Sequence, residues 1–340
     1  MNNISKLSKA VSLVLLTSTL LLSGCESANS SPDTEKKDIV VSIPVEAAKV
    51  SRGEISSTYR TTSTLEAKAD AEVNSKATGI VQHILVEEGD KVEAGQLLAQ
   101  VFLMLDELVK PGVSTMQIND AVEDFIRGPL ASRPASKGQY DYQYVLNSSI
   151  NEVVCHGMPK QTDILKEGDI VNLDITLEKD GFIADSSKMY CLGKVSPLAQ
   201  RLVDVTYQAL WQGIYQVKPG ARLGDIAAAV QQYAEKHGYS VVREYCGHGI
   251  GQVFHEDPQV LHYGRPGTGD TLKTGMCLTI EPMINAGERH SKLLKDGWTV
   301  VTKDRSLSAQ FEHTIVVTET GCEILTLRSD DTIERIVTAE

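Results

Sequence analysis

The segment GDIVNLDITLEKDGFIADSSKMY, Gly168 to Tyr190, is the stretch whose reading decides the fold. Valine, isoleucine and leucine alternate on either side of Lys179-Asp180-Gly181-Phe182, the pattern of an antiparallel hairpin closed by a two-residue Asp-Gly turn. If Lys179 pairs with Phe182, Asp174 falls opposite Ser187. Asp185, two residues from Ser187, then shares that face and sits diagonal to Asp174. Diagonal neighbours are about 7–8 Å apart at the backbone, near enough for both carboxylates to reach one ion. Two carboxylates inside a largely apolar hairpin repel each other unless a cation or a proton compensates. A hairpin face left in water fits this pair equally well, so other parts of the chain have to decide.

Three further donors lie downstream. Tyr245-Cys246-Gly247-His248-Gly249-Ile250-Gly251 brackets a histidine with glycines, which suggests tight turns around a projecting imidazole. Leu278-Thr279-Ile280-Glu281-Pro282 places a glutamate at the end of an apolar strand that the proline stops. Gln310-Phe311-Glu312-His313-Thr314-Ile315-Val316-Val317 places another in a strand fit for burial. Each alone is also what a structurally paired buried glutamate looks like. Together, Asp174, Asp185, His248, Glu281 and Glu312 match a site for two divalent ions of the Mn, Fe or Co type. No HExxH helix and no GxSxG turn occurs, which disfavours a mononuclear zinc protease and a serine nucleophile.

An internal repeat sets the architecture. Val109-Lys110-Pro111-Gly112 returns as Val217-Lys218-Pro219-Gly220, each copy lying between helical stretches. Ser196-Pro197 reads as N-cap and first turn of a helix running to about Gln216, and a second helix spans about Asp225 to Lys236 before Gly238. Ile118 to Ile126 matches that second helix in the first half. A helix–turn–helix–strand unit used twice predicts a pseudo-symmetric α+β domain with its site between the halves. Before the first turn only about Leu98 to Val109 is available as helix, half the length of its counterpart, so the first helix is expected to be cut short.

Composition frames the rest. The 340 residues carry a net charge of −12 without a basic run, which argues against nucleic acid as a partner. Cys155, Cys191, Cys246, Cys277 and Cys322 are scattered and odd in number, as in a reduced domain. The N-terminus conflicts with that. Residues 1–25 hold Lys6 and Lys9, an apolar run from Val11 to Leu22, and Leu-Ser-Gly-Cys, the pattern of a lipoprotein export signal in which Cys25 is lipidated and anchors the chain to a membrane. Residues 26–40 read as a flexible tether, and residues 41–100 as a short β-rich segment with turns at Gly89-Asp90 and Gly95-Gln96.

Two resemblances complete the reading. Gly79 to Gln100 resembles the first half of the lipoyl-like barrel in periplasmic adaptor (membrane-fusion) subunits of efflux pumps. It lacks the Met-Lys pair of a lipoylated or biotinylated domain, so no such cofactor is inferred. NEVVCHGMP, GDIVNLDIT, ADSSKMY, REYCGHGIG, FHEDPQVLHY, TIEPM, KDGWTV and SLSAQFEHT, in this order, resemble type I methionine aminopeptidases over about residues 101–330, within a catalytic domain expected to span 101–340. That resemblance implies the pita-bread fold, two divalent metal ions (Co, Mn, Fe or Zn), a monomer, and release of methionine from the N-termini of nascent polypeptides when the next residue is small. It implies metal-ligand roles for Asp174, Asp185, His248, Glu281 and Glu312, with Asp185 and Glu312 bridging and Glu281 also accepting a proton. It implies that His156 and His255 steady the substrate's peptide group, and that Tyr142, Phe254 and Trp298 border the methionine pocket, with Ser136 to Tyr144 a variant of the pocket loop. A proline-specific pita-bread peptidase and an inactive exported fusion are the alternatives. The cytosolic character of such an enzyme and the export signal predict conflicting locations.

Overall fold

The computed structural model describes residues 92–338. The export signal, Cys25, the tether and most of the adaptor-like segment lie outside the described residues. Among the described residues no helix is long and apolar enough to cross a membrane.

The hairpin forms in the expected register. Strands Ile170–Lys179 and Phe182–Cys191 pair Lys179 with Phe182 and Asp174 with Ser187, and Asp185 faces Thr176. Asp180 and Gly181 both take positive φ, 51° and 85°, as a two-residue primed turn requires. On its other edge Ile170–Lys179 pairs with Leu146–Ile150 and, further along, with Arg133–Pro134.

The repeat folds as two matching units. Helix α1 (Val92–Leu108) packs on the hairpin and α2 (Thr115–Arg127) on α1 and the neighbouring strands Arg133–Pro134 and Leu146–Ile150, while α3 (Pro197–Ile214) and α4 (Leu223–Lys236) pack on the second half. The glycines ending the repeated Val-Lys-Pro-Gly strings both turn with positive φ, 95° at Gly112 and 86° at Gly220. The backbone N–H of Gly112 donates to Leu165 and that of Gly220 to Leu272, so each turn is tied to the strand segment that follows its helix pair in the same way. Local signals explain the helix starts. Ser114 and Gln117 form a reciprocal capping box on α2, and Ser196 caps α3 ahead of Pro197.

The second half carries a six-stranded sheet in the order Ile336–Thr338, Gly321–Ile324, His313–Val317, Cys277–Ile280, Gly247–Gly249, Glu256–Val260. Leu202, Leu210 and Trp211 of α3 and Ile226 and Val230 of α4 bury against Leu278, Ile280 and Ile315. In the first half Leu98, Val101, Phe102 and Leu105 of α1 and Ile118, Val122 and Ile126 of α2 bury against Val171, Leu173, Ile175 and Leu177. The halves meet where Ser187 of the hairpin bridges to Glu312.

One expectation is overturned. The first helix is not cut short: α1 has 17 residues and its counterpart α3 has 18. Residues 92–100, read as β-rich, are helical, and Gly95 sits inside the helix rather than at a turn. The short run Gly95-Gln-Leu-Leu-Ala-Gln fits either a strand or a buried helix by pattern alone. What decides is that Ala94, Leu98, Val101 and Leu105 recur at helical spacing and bury against the hairpin. Gly95 has its own reason to be there: a Cβ built on it would stand 2.3 Å from the carbonyl oxygen of Leu325, so only glycine lets α1 lie this close.

Candidate metal centre

A cavity of about 470 Å³ opens between the halves. Asp174, Asp185, His156, His248, His255, Glu281, Glu312, Tyr142, Phe254 and Trp298 all line it, so every site residue read from the sequence within the described residues reaches one place.

Each donor is held by a different element. Asp174 and Asp185 come from the two hairpin strands. Asn147, opposite Asp174 in the neighbouring strand, donates to Asp174 Oδ2 at 2.9 Å, and Thr176 Oγ1 donates to Asp185 Oδ1 at 3.1 Å. His248 lies in the short strand Gly247–Gly249, and its Nδ1–H donates to the Gly249 carbonyl at 2.9 Å, which leaves Nε2 as a free lone pair facing the cavity. Nε2 is 3.9 Å from Asp185 Oδ2 and 3.7 Å from Glu281 Oε1. Thr279 Oγ1 ties two donors together, accepting from the His248 N–H at 2.9 Å and donating to Glu281 Oε1 at 2.8 Å. Gln310 Nε2 donates to Glu281 Oε2 at 3.3 Å.

The flanking glycines of His248 do not serve as turns. Neither Gly247, Gly249 nor Gly251 takes positive φ. A Cβ on Gly247 would lie 2.4 Å from the Thr279 carbonyl, and one on Gly249 would lie 2.3 Å from that of Asp257. They are small because neighbouring strands press on both sides, a requirement that appears only once the sheet is assembled.

The donor set suits divalent cations. Ligand atoms of Asp185, His248 and Glu312 lie within 4.8 Å of one another. Ligands about 2.0–2.2 Å from a shared ion lie roughly 3–4 Å from each other, the spacing of His248 Nε2 from Asp185 and Glu281. Glu312 Oε1 is buried without a hydrogen-bond partner, an uncompensated oxygen aimed into the site. Among the described residues no lysine or arginine lines the cavity. Burial, and after it the charges of Asp174 and Glu281, push the Asp185 carboxyl well above its usual range. Burial and the neighbouring Asp185 and Glu281 do the same to Glu312. Three buried carboxylates and the half-buried Asp174, with no cationic side chain lining the cavity among the described residues, call for bound cations or for protons.

Around the donors stand the aromatic and imidazole groups. Tyr142 and Trp298 rings lie 4.8 Å apart, and His156 meets Tyr245 edge-on at 5.5 Å. His255 stacks on Phe254 at 4.2 Å and lies 4.4 Å from His248. His156 takes φ 55°, a left-handed backbone that few side chains adopt, which turns its ring into the cavity. Burial, then the nearby His255, lowers the His156 pKa to about 4, so it is a neutral donor near pH 7. Several contributors escaped the sequence reading. Asn147 and Thr279 were legible in principle, one as the register partner of Asp174 and the other as the same-face neighbour of Glu281. His262, whose Nε2 accepts the Glu281 N–H at 3.0 Å, lies inside the motif FHEDPQVLHY, but nothing local marks it as facing residue 281.

The sequence profile of metallopeptidase family M24 matches residues 92–319. The chain belongs to metallopeptidase family M24. The match begins at the first residue of α1, in keeping with the full-length helix. Relatives of the M24 chain include the methionine aminopeptidase of Salmonella typhimurium, 56% identical over 245 residues covering 72% of this chain and 93% of the relative. That of Escherichia coli K12 is 54% identical over 244 residues, covering 72% and 92%. The crystal structure of methionine aminopeptidase from Rickettsia prowazekii superimposes with a TM-score of 0.68 at 53% identity, over 70% of this chain and 96% of that one. An Xaa-Pro dipeptidase from Bacillus anthracis, at 23% identity and a TM-score of 0.54, shares the fold alone. The M24 domain is thus the pita-bread fold expected from the motifs. A second profile, that of biotin-requiring enzymes, matches residues 38–101 and overlaps the M24 match over residues 92–101. A lipoyl-like segment therefore precedes the M24 domain.

Proposed function

We propose that this chain is a metal-dependent aminopeptidase that removes N-terminal methionine from nascent polypeptides, preferring a small second residue. The convergence of five donors, two imidazoles and three aromatic rings on one cavity carries the reading, and 54–56% identity to methionine aminopeptidases across nearly their whole length supports it. In this reading Asp174, Asp185, His248, Glu281 and Glu312 are the residues that would hold two divalent ions. When bound, such a pair lowers the pKa of water toward neutrality and anchors a free amine.

The chain's own residues do the rest. Glu281, buried at the cavity wall and held by Thr279 and Gln310, accepts a proton from the attacking water; burial raises its carboxyl above the usual range, toward what a base working near neutral pH needs. His156 and His255 donate to the substrate's peptide oxygen as charge develops on it. Tyr142, Trp298 and Phe254 form the wall on which a thioether packs.

The test is release of free methionine from Met-Ala-Ser by the full-length chain with Mn or Co, compared with cleavage of Ala-Pro. Turnover of Met-Ala-Ser that disappears in Asp174→Asn and Glu312→Gln is the expected result. Cleavage of Ala-Pro in preference would overturn the substrate assignment.

The leading residues belong to a separate part of this reading: 1–25 an export signal with lipidated Cys25, 26–40 a tether, and the segment up to about residue 91 derived from an efflux-pump adaptor. A diacylated Cys25 in mass spectra of the native chain supports export and membrane anchoring. An intact Met1 would overturn it in favour of an enzyme that stays with cytosolic nascent chains.

A further inference from the structure

Behind the wall that carries Glu312 sits a buried cation that none of the chemistry above uses. Arg328 is 4% exposed and lies just past the strand Gly321–Ile324. Its Nη1 donates to Ser186 Oγ at 2.9 Å, to the Ser187 carbonyl at 3.2 Å and to the Glu312 carbonyl at 3.5 Å. Its Nη2 donates to His313 Nε2 at 3.1 Å and stands 3.5 Å from Asp331 Oδ1. The Phe102 ring of α1 covers the guanidinium carbon at 5.3 Å, and Tyr207 of α3 donates to Asp331 Oδ1 at 3.0 Å, holding the counter-charge in place.

Enclosing a guanidinium strips it of its hydration, and an apolar side chain of equal length would fill the same space without that cost. Packing alone therefore does not account for an arginine here. What arginine adds is a rigid fork of donors. The groups it grips are Ser186 and Ser187, which directly follow Asp185, and the carbonyl of Glu312 itself. The same two segments already bond each other, with Ser186 Oγ donating to the Glu312 carbonyl at 2.7 Å and the Glu312 N–H to the Ser187 carbonyl at 3.1 Å. One segment comes from each half of the domain, and on the opposite side each presents a carboxylate to the cavity.

We infer that Arg328 is a positioning residue: by pinning Ser186, Ser187 and Glu312 from behind, it sets the spacing of the Asp185 and Glu312 carboxylates and hence their affinity for a divalent ion. The inference rests on the metal-centre reading above. Groups that brace metal ligands in this way typically contribute 10–100-fold in affinity.

The experiment is calorimetric titration of Mn(II) into the full-length chain stripped with chelator, alongside kcat and KM on Met-Ala-Ser and thermal unfolding by circular dichroism. Arg328→Met is expected to unfold cooperatively, to bind Mn(II) about tenfold or more weakly, and to lose kcat with KM changed by less than about twofold. Arg328→Lys, which keeps the charge without the fork, should recover part of the affinity, and Arg127→Met, at a surface pair with Glu123, none of the defect. Wild-type Mn(II) affinity in Arg328→Met overturns the inference. If that variant does not fold, Ser186→Ala decides in its place: several-fold weaker Mn(II) binding supports the clamp, and unchanged binding overturns it. Glu312→Gln separates the two levels. If it binds Mn(II) as tightly as wild type, the metal-centre reading fails and takes the inference with it; if it loses Mn(II) while Arg328→Met keeps it, the inference alone fails.

Discussion

Thr279 joins two metal-ligand candidates through one hydroxyl, accepting from the His248 backbone and donating to Glu281 Oε1. Thr279→Val keeps the shape and removes both bonds. It is expected to weaken Mn(II) binding on the order of tenfold, read by the same titration, while Thr279→Ser retains most of it. His262 gives a prediction in pH. Burial lowers its pKa to about 3, and its Nε2 accepts from the Glu281 N–H, so the folded state keeps it neutral. In the unfolded chain an ordinary histidine titrates near 6.5. Above that pH neither state is protonated and no penalty arises. As pH falls from about 6.5 toward 3, only the unfolded state takes up the proton, and stability drops. By pH 5.5 the drop amounts to about 1 kcal/mol. The buried carboxylates push the other way in the metal-free chain, because their raised values favour protonation in the folded state. The expected observation is therefore a difference: between pH 7.5 and 5.5, urea unfolding in chelator shows wild type losing about 1 kcal/mol more than His262→Gln. Equal pH dependence would show that His262 is not held neutral.

At the scale of elements, the hairpin was legible because its evidence is local: the Asp-Gly turn fixes the register, and the register puts Asp174 and Asp185 on one face. The helix starts were legible for the same reason, through Ser114 and Ser196. α1 was not. Its first residues carry glycine and a short apolar run that suits a strand, and only burial against the hairpin makes them helical. Gly95 tests that contact with a change of sign. Helix propensity alone says that Gly95→Ala stabilises by about 1 kcal/mol. The 2.3 Å approach to the Leu325 carbonyl says that it destabilises, by about 1–3 kcal/mol, since neither backbone has room to give. A lower melting temperature for Gly95→Ala is the expected result.

For the whole molecule, the M24 domain starts where α1 starts, inside the stretch that two family profiles share. Leu98 and Val101 are fully buried in that stretch, so the domain cannot yield it without opening its first core. Protein beginning at Val92 is expected to fold cooperatively and to release methionine with the kcat/KM of the full chain. Protein beginning at Phe102 is expected to lose both, having given up more than two turns of helix and side chains worth roughly 1.5–3 kcal/mol each. The same assay with chelator, then with Mn added back, should show activity lost and restored, since among the described residues no lysine or arginine lines the cavity to take the place of the ions beside the four carboxylates.

By itself the sequence picked out the candidate donors that meet in one cavity, the hairpin geometry of two of them, the two-fold repeat and the family, because turn residues, caps and motif order are properties of contiguous residues. The tertiary structure alone decided the length of α1, the reason for the glycines beside His248, the acceptor role of His262, and the place of Arg328 behind Glu312. Each of these depends on atoms brought together from positions distant in the chain, and close contact across a folded core leaves no local trace in the residues that make it.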